Sequence, residues 1–296
     1  MDTTLRTNDT AQLARTILGL FKLRIGFVIM ITALAGFVVT PDAGPGGIPL
    51  AVLALAVLIA SASAGAFNQY VEYDTDRLML RTRGRAFATG ELRHAPVWLA
   101  LIGILLAGSV AAAWYATNPL AALYVFLGAF FYAVVYTVWL KRRTWLNIVV
   151  GGLAGSFSVL AGAAAANPQL GAVPLLLALV LFLWTPPHFW SLAIANSPDY
   201  AAAGVPMLPV VVGNARAAQI VFASTLALVG VSLLPVFFGA GLIYFAGALT
   251  GGAYFVRNAW QLARAPSRKT AMSSFHASLA QLSLLLLAAM IDALLF

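Results

Sequence analysis

Ile48-Pro-Leu-Ala-Val-Leu-Ala-Leu-Ala-Val-Leu-Ile-Ala-Ser-Ala-Ser-Ala-Gly-Ala-Phe-Asn68-Gln-Tyr-Val-Glu72-Tyr-Asp74-Thr-Asp76-Arg77-Leu-Met-Leu-Arg81-Thr-Arg83-Gly-Arg85 decides both the fold class and the chemistry of this chain. Its first part carries no charge and has the length, roughly 20 residues, that spans a hydrocarbon core as a helix. Its second part concentrates three of the chain's nine carboxylates and then four arginines. Asn68, Glu72 and Asp76 recur at the i, i+4, i+8 spacing of one helical face, each about 6 Å of rise from the next. Asp74 points away from that face. Hard oxygen ligands suit Mg²⁺, which keeps several waters and is completed by substrate phosphate. The planar arginine fork suits phosphate oxygens. The stretch therefore predicts a Mg²⁺–diphosphate site at the end of a transmembrane helix. The alternative is a surface salt-bridge network, but acids at a membrane edge cost a few kcal/mol each.

Working outward, similar apolar runs fill the chain. Of its 296 residues 62% are hydrophobic and 9% charged, against about 25% charged in a soluble domain. The expected fold is all-α: a polytopic membrane protein of about nine helices around a cavity near the cytoplasmic side. The runs are 23–40, 48–70, 96–116, 119–140, 146–165, 173–195, 217–238, 240–255 and 272–295. In lipid the backbone must satisfy its own hydrogen bonds, which makes each run a helix. A single domain, 1–296, is expected, with residues 1–22 as a flexible cytoplasmic arm.

With nine helices, all 17 Lys and Arg fall on one side. The positive-inside rule makes that side cytoplasmic, with the N-terminus inside and the C-terminus outside a bacterial-type inner membrane. The net charge of +8 is scattered between apolar runs, so nucleic acid is excluded as a partner and an anionic substrate at a lipid surface is favoured. Without cysteine there is no thiolate nucleophile or zinc–thiolate site. Gly151/Gly155 and Gly103/Ala107/Ala111 are expected to pack helices closely.

A second stretch is Trp184-Thr-Pro-Pro-His188-Phe-Trp190, leading to Asn196-Ser-Pro-Asp199-Tyr200 and Val205-Pro-Met-Leu-Pro209. Pro186 and Pro187 are expected to kink the helix and expose backbone groups to ligand. His188 is the histidine inside a membrane run; it is either satisfied by a neighbouring helix or used in substrate binding. Asp199 is either a turn cap or a further carboxylate of the metal cluster. Lys141, Arg142 and Arg143 anchor a helix end, and one or two of them can also hold diphosphate.

On these residues the chain resembles the protoheme IX farnesyltransferase (heme O synthase) family of the UbiA-type intramembrane prenyltransferases. The likeness runs through Asn68-x-x-x-Glu72-x-Asp74-x-Asp76-Arg-Leu-Met-x-Arg81-Thr-x-x-Arg85, Tyr136-Thr-x-x-Leu-Lys141-Arg142, Gly151-Gly152-x-x-Gly155, Thr185-Pro-Pro-His188 and Asp199-Tyr200. The Pro-His and Asp-Tyr blocks point to the heme branch. Glu72 stands where the family usually has Asp, and Ala86 where it often has Pro. The resemblance implies transfer of farnesyl from farnesyl diphosphate to heme B, with water, giving heme O and diphosphate. It implies metal ligation by Asn68, Glu72, Asp76 and Asp199, and diphosphate binding by Arg81, Arg85, Lys141 and Arg142. It gives His188 and Tyr200 a part in heme binding or water positioning. It leaves oligomeric state open and leaves room for a downstream heme-modifying enzyme. Two other functions fit the broader pattern: prenylation of a quinone precursor or chlorophyllide, and transport of an anionic or heme-like solute. Mg²⁺-dependent diphosphate release separates the enzymes from the transporter.

Overall fold

The computed structural model describes residues 15–41, 44 and 46–296. The first part of the expected arm, residues 1–14, and the loop acid Asp42 lie outside the described residues. The remainder of that arm is folded: residues 15–20 are helical and Leu20 is buried.

Long helical segments follow in order, and no strand occurs among the described residues. They are α1 (Leu23–Val38), α2 (Ile48–Val71), α3 (Val97–Ala116), and α4 (Pro119–Phe130), which continues as a π-helix (Phe131–Leu140). Then come α5 (Asn147–Gly151 and Leu153–Ala166), α6 (Ala172–Ala195), α7 (Asn214–Ser232, then a 3₁₀ turn Leu234–Phe238), α8 (Leu242–Arg264) and α9 (Arg268–Leu295). Seven of these segments are long and apolar enough to cross a membrane. α1 has only 16 residues. α8 has the length, but its second half carries Arg257, Asn258, Gln261 and Arg264. The chain is thus a multi-pass helical membrane protein.

The helices close into a bundle. α1 packs on α2 and α5, α6 on α5, α7 and α9, and α8 between α7 and α9; a contact of α9 with α1 joins the two ends. α1 and α5 cross in close backbone contact. A Cβ on Gly162 would lie 1.7 Å from the Ala33 carbonyl oxygen, and one on Gly36 2.1 Å from that of Val159. Backbone meets backbone here because neither helix offers a side chain, as small residues permit in membranes.

Three expectations are corrected. Pro186 and Pro187 sit inside one continuous helix, α6, and the helix interruption falls instead at Gly152 of α5. There a Cβ would touch the Thr185 side chain at 3.0 Å and the Phe182 carbonyl at 3.3 Å, so the glycine accommodates the proline-bearing stretch. A Cβ on Gly103 would meet nothing within 4 Å among the described residues; with the exposed Ala107 and Ala111 it lines an open groove on α3 rather than a close helix contact. Of the other glycine pair, Gly151 lies under the Tyr136 ring at 3.0 Å, while Gly155 only reaches Leu181 at 4.0 Å.

At the far end of the bundle Asp292 of α9 is buried and accepts backbone N–H groups of Gly241 (2.6 Å), Ile243 (3.1 Å) and Tyr244 (3.3 Å). It caps α8 from another helix and satisfies donors that α8 leaves free.

Gly162→Ala should lower the melting temperature in detergent markedly, because relieving backbone overlap costs about 1–3 kcal/mol or more. Gly103→Ala, in open space, should stay within about 0.5 kcal/mol of the parent. Equal melting temperatures for the two variants would contradict the α1–α5 contact.

Candidate active site at the end of α2

α2 ends at Val71, Glu72 follows as its C-cap, and a short turn of helix, Tyr73–Asp76, continues the line. This keeps the expected face: Asn68, Glu72 and Asp76 are buried, whereas Asp74 points outward. Glu72 is 2% and Asp76 3% exposed. A buried carboxylate needs a partner, and each has one. Lys141 Nζ lies 2.5 Å from Glu72. Arg85 Nη1 donates to both oxygens of Asp76, at 2.9 and 2.8 Å. Asn68 donates to Glu72 at 2.8 Å and to the Thr137 hydroxyl at 3.1 Å. Its side-chain oxygen accepts from Lys22 Nζ at 2.8 Å.

Lys22 is the residue that reasoning from sequence missed. It reads as one more anchor on the basic side, yet its amine enters the cluster. Its backbone is left-handed, φ 46° and ψ 44°, the sole positive φ outside glycine among the described residues. The turn before it is held by Gln69, which donates to the carbonyls of Gly19 (3.1 Å) and Leu20 (2.8 Å). Gly65 gives the lysine stem room, since a Cβ there would lie 3.4 Å from Lys22 Cδ. Burial lowers the Lys22 pKa to about 7, helped by the nearby charges of Arg85 and Lys141. Burial also lowers that of Lys141, against the opposing pull of Glu72.

The second missed feature is the π-helix that ends α4, a form that recurs at functional sites. Lys141 N–H closes an i→i+5 bond to the Tyr136 carbonyl at 2.9 Å. This wider turn brings Thr137 to Asn68 and Lys141 to Glu72. Asn147 donates to the Lys141 carbonyl at 3.2 Å, and its own side-chain oxygen is buried without a partner.

The other expected residues divide. Arg142 reaches Asp74 at 2.9 Å and also the Thr75 hydroxyl, on the exposed side of the turn. Its hydrogen bond holds the Asp74 carboxyl below the usual range. Arg81 is exposed and makes no ion pair among the described residues. Asp199, in the short helix Ser197–Ala202, is half-buried and likewise unpaired there; Tyr200 is buried. No three His, Asp or Glu side chains converge as a ready-made metal centre among the described residues. The fit to a divalent cation rests on the oxygens of Asn68, Glu72 and Asp76. A carboxylate has about four lone-pair sites, so those of Glu72 and Asp76 keep acceptor capacity beyond the bonds already made.

His188 lies on α6 in a separate nest, sandwiched between Trp184 (4.1 Å) and Phe275 (4.5 Å). Its Nδ1 is 2.6 Å from the Ser278 hydroxyl, which itself donates to the Phe275 carbonyl at 2.6 Å. With its one proton committed, Ser278 accepts, so Nδ1 carries the imidazole hydrogen and Nε2 presents a lone pair. The structure therefore shows the histidine tethered to a neighbouring helix and also leaves one nitrogen free for a ligand.

An apolar cleft opens directly beneath Lys22, between α1, α2, α4 and α5. Small side chains, Ala60, Ala64, Gly128 and Ala129 among them, make the room. Charged cluster and apolar cleft thus share Lys22, an arrangement that suits an amphiphile with an anionic head.

Residues 29–285 match the UbiA prenyltransferase family. Protoheme IX farnesyltransferase 2 of Paramagnetospirillum magneticum is 56% identical over 282 residues, covering 95% of this chain and 98% of that one. Protoheme IX farnesyltransferase of Azotobacter vinelandii is 40% identical, covering 99% and 98%. Among solved structures, a digeranylgeranylglyceryl phosphate synthase superposes with a TM-score of 0.79 at 17% identity, covering 96% of this chain and 99% of that one. A UbiA homolog from Archaeoglobus fulgidus bound to DMAPP and Mg²⁺ gives 0.71 at 18% identity, covering 91% and 99%.

Lys141→Met should destabilise the protein by about 3–5 kcal/mol, the cost of stranding a buried charge. Adding Glu72→Gln should restore much of that loss. A double variant no more stable in detergent than the single one would show that the pair is not coupled.

Proposed function

The chain belongs to the UbiA prenyltransferase family, and from this premise we propose that it transfers the farnesyl group of farnesyl diphosphate to a vinyl group of heme B, with addition of water, giving heme O and diphosphate. The observation that carries this reading is the buried polar cluster at the mouth of an apolar cleft, in a chain 56% identical to a protoheme IX farnesyltransferase.

The reaction breaks the allylic C–O bond, and the electron pair leaves with diphosphate. The vinyl double bond forms the new C–C bond, and water captures the resulting cation and releases a proton. Mg²⁺ bound by Asn68, Glu72 and Asp76, with Asp199 as a further carboxylate, would supply positive charge to the leaving group. The basic side chains can serve the same anion without abandoning the acids. A lysine ammonium has three donors and a guanidinium five; Arg85 uses only Nη1 on Asp76. Lys22, Lys141 and Arg85 thus keep donors for phosphate oxygens, placed before the charge develops. Arg142, which pairs with the outward Asp74, and the exposed Arg81 add further positive charge for the diphosphate.

The apolar walls below Lys22 exclude water from the allylic cation until the acceptor has reacted. His188 offers a neutral nitrogen lone pair to heme or to the captured water, and Tyr200 lies next to Asp199 in the same turn. In this reading the site faces the cytoplasmic side of an inner membrane, with the N-terminus inside and the C-terminus outside; the segregation of lysines and arginines supports it.

Asp76→Asn should abolish heme O formation, read as the mass of heme extracted from an expression host lacking it, while the protein remains extractable and folded. Turnover at the parent rate would remove the metal role of this face. His188→Ala should weaken heme binding at least about tenfold, in keeping with loss of a buried polar contact; unchanged affinity and turnover would leave the histidine a packing role only.

A further inference from the structure

The cleft beneath Lys22 has a measurable depth. On α2 its lining runs from Gly65 beside Lys22 to Val57, and on α4 from Tyr132 to Tyr124. Each run spans nine residues, from 57 to 65 and from 124 to 132, or about 12 Å at helical rise. Both run inward from the charged cluster, because α2 and the π-helix of α4 end there. On α1 the lining descends from Lys22 to Ile29 in the same sense.

The far end is lined by packed apolar side chains. Val57 belongs to a continuous apolar cluster with Leu53, Ala56, Ala60 and Val125, against which Ile29 and Tyr124 pack. The Tyr124 ring also stacks on Phe157 at 6.0 Å. An extended farnesyl chain measures about 13 Å, and each added isoprene unit about 4.5 Å more, at the rise per bond of an extended chain. A tail whose diphosphate is held at Lys22, Lys141 and Arg85 therefore reaches this floor at the farnesyl length. A longer tail meets packed side chains.

We propose that Ile29, Val57 and Tyr124 form a floor that limits the isoprenoid chain to farnesyl length, with Tyr124 as the decisive residue. The inference rests on the prenyl-transfer reading above and adds the residues that measure the substrate. The small wall residues belong to the same device: Ala60 lies one helical turn above Val57, so a bulky side chain there raises the floor. Removing one buried group from an apolar pocket changes discrimination by roughly 10–200-fold per methylene-sized step.

The test offers detergent-purified protein heme B with equimolar farnesyl and geranylgeranyl diphosphates, and reads product ratio by mass. Tyr124→Ala should raise the geranylgeranyl-to-farnesyl ratio at least about tenfold. Ala60→Phe should act oppositely, depressing farnesyl use while geranyl diphosphate is still accepted. Thermal-shift affinities of the three diphosphates accompany each variant, so a length preference is read even where chemistry is slow. Should Tyr124→Ala fail to fold, Ala60→Phe and the parent's own affinity series decide. Parent-like ratios and affinities in the folded variants overturn the floor. A parent that binds farnesyl diphosphate most tightly among the three yet forms no prenylated heme overturns the acceptor reading and leaves the floor standing.

Discussion

Glu72 and Asp76 are carboxylates withdrawn from water at the edge of a hydrocarbon layer, and the bundle's cytoplasmic end is arranged around their charge. An isolated ion there carries a desolvation penalty of several kcal/mol, which only close partners offset. The partners come from elsewhere: Lys141 follows the π-helix of α4, Arg85 lies beyond a turn, and Lys22, which precedes α1, joins through Asn68, itself a donor to Glu72. Satisfying the acids therefore ties together the start of α1, the end of α2 and the end of α4. The same ties place three basic side chains around two carboxylates. The surplus of basic groups suits an anionic ligand.

Asp292 meets the same constraint by a different route. It too is buried, yet it makes no ion pair among the described residues; three backbone N–H groups at the start of α8 donate to it instead. That solution leaves no unused donors facing outward, so Asp292 is structural. The two sites differ in the kind of partner that meets the acid. Lysine and arginine keep spare donors, whereas a helix N-terminus wrapped round one side chain does not.

Much of this was legible in the sequence because it is local. The i, i+4, i+8 face of Asn68, Glu72 and Asp76, the outward turn of Asp74 and the apolar spans all follow from helical periodicity. The pairing of Glu72 with Lys141 was legible only in outline, as acid and base on one side of the membrane. What was hidden depends on contacts between distant segments. Nothing in Gly-Leu-Phe-Lys22-Leu-Arg announces a left-handed backbone, because Gln69, some 50 residues away, fixes the turn that precedes it. The π-register of 131–140 has no sequence signature either. Two prolines in α6 misled for a related reason: neighbouring Gly152 supplies space that lets the helix continue. The small-residue stripe on α3 misled because composition shows that backbones can approach, not that one does.

The left-handed turn at Lys22 explains how one bundle joins a charged head site to an apolar cleft. Side chains on a helix tilt toward its N-terminus, so a lysine continuing α1 in helical geometry would extend its amine back to water. Long basic side chains at membrane edges ordinarily do that. A left-handed residue costs roughly 1–2 kcal/mol, and here it sends the chain inward instead, along Gly65 to Asn68. Two backbone carbonyls held by Gln69 offset that cost and fix the direction. Had Lys22 snorkelled outward, Asn68 would lose its cationic partner and the cleft's opening would be purely apolar, with nothing to orient an entering tail. With the amine turned in, the boundary between charge and hydrocarbon lies one residue deep. An amphiphile can satisfy both sides of that boundary only in one orientation, head toward α2's acids and tail toward Val57.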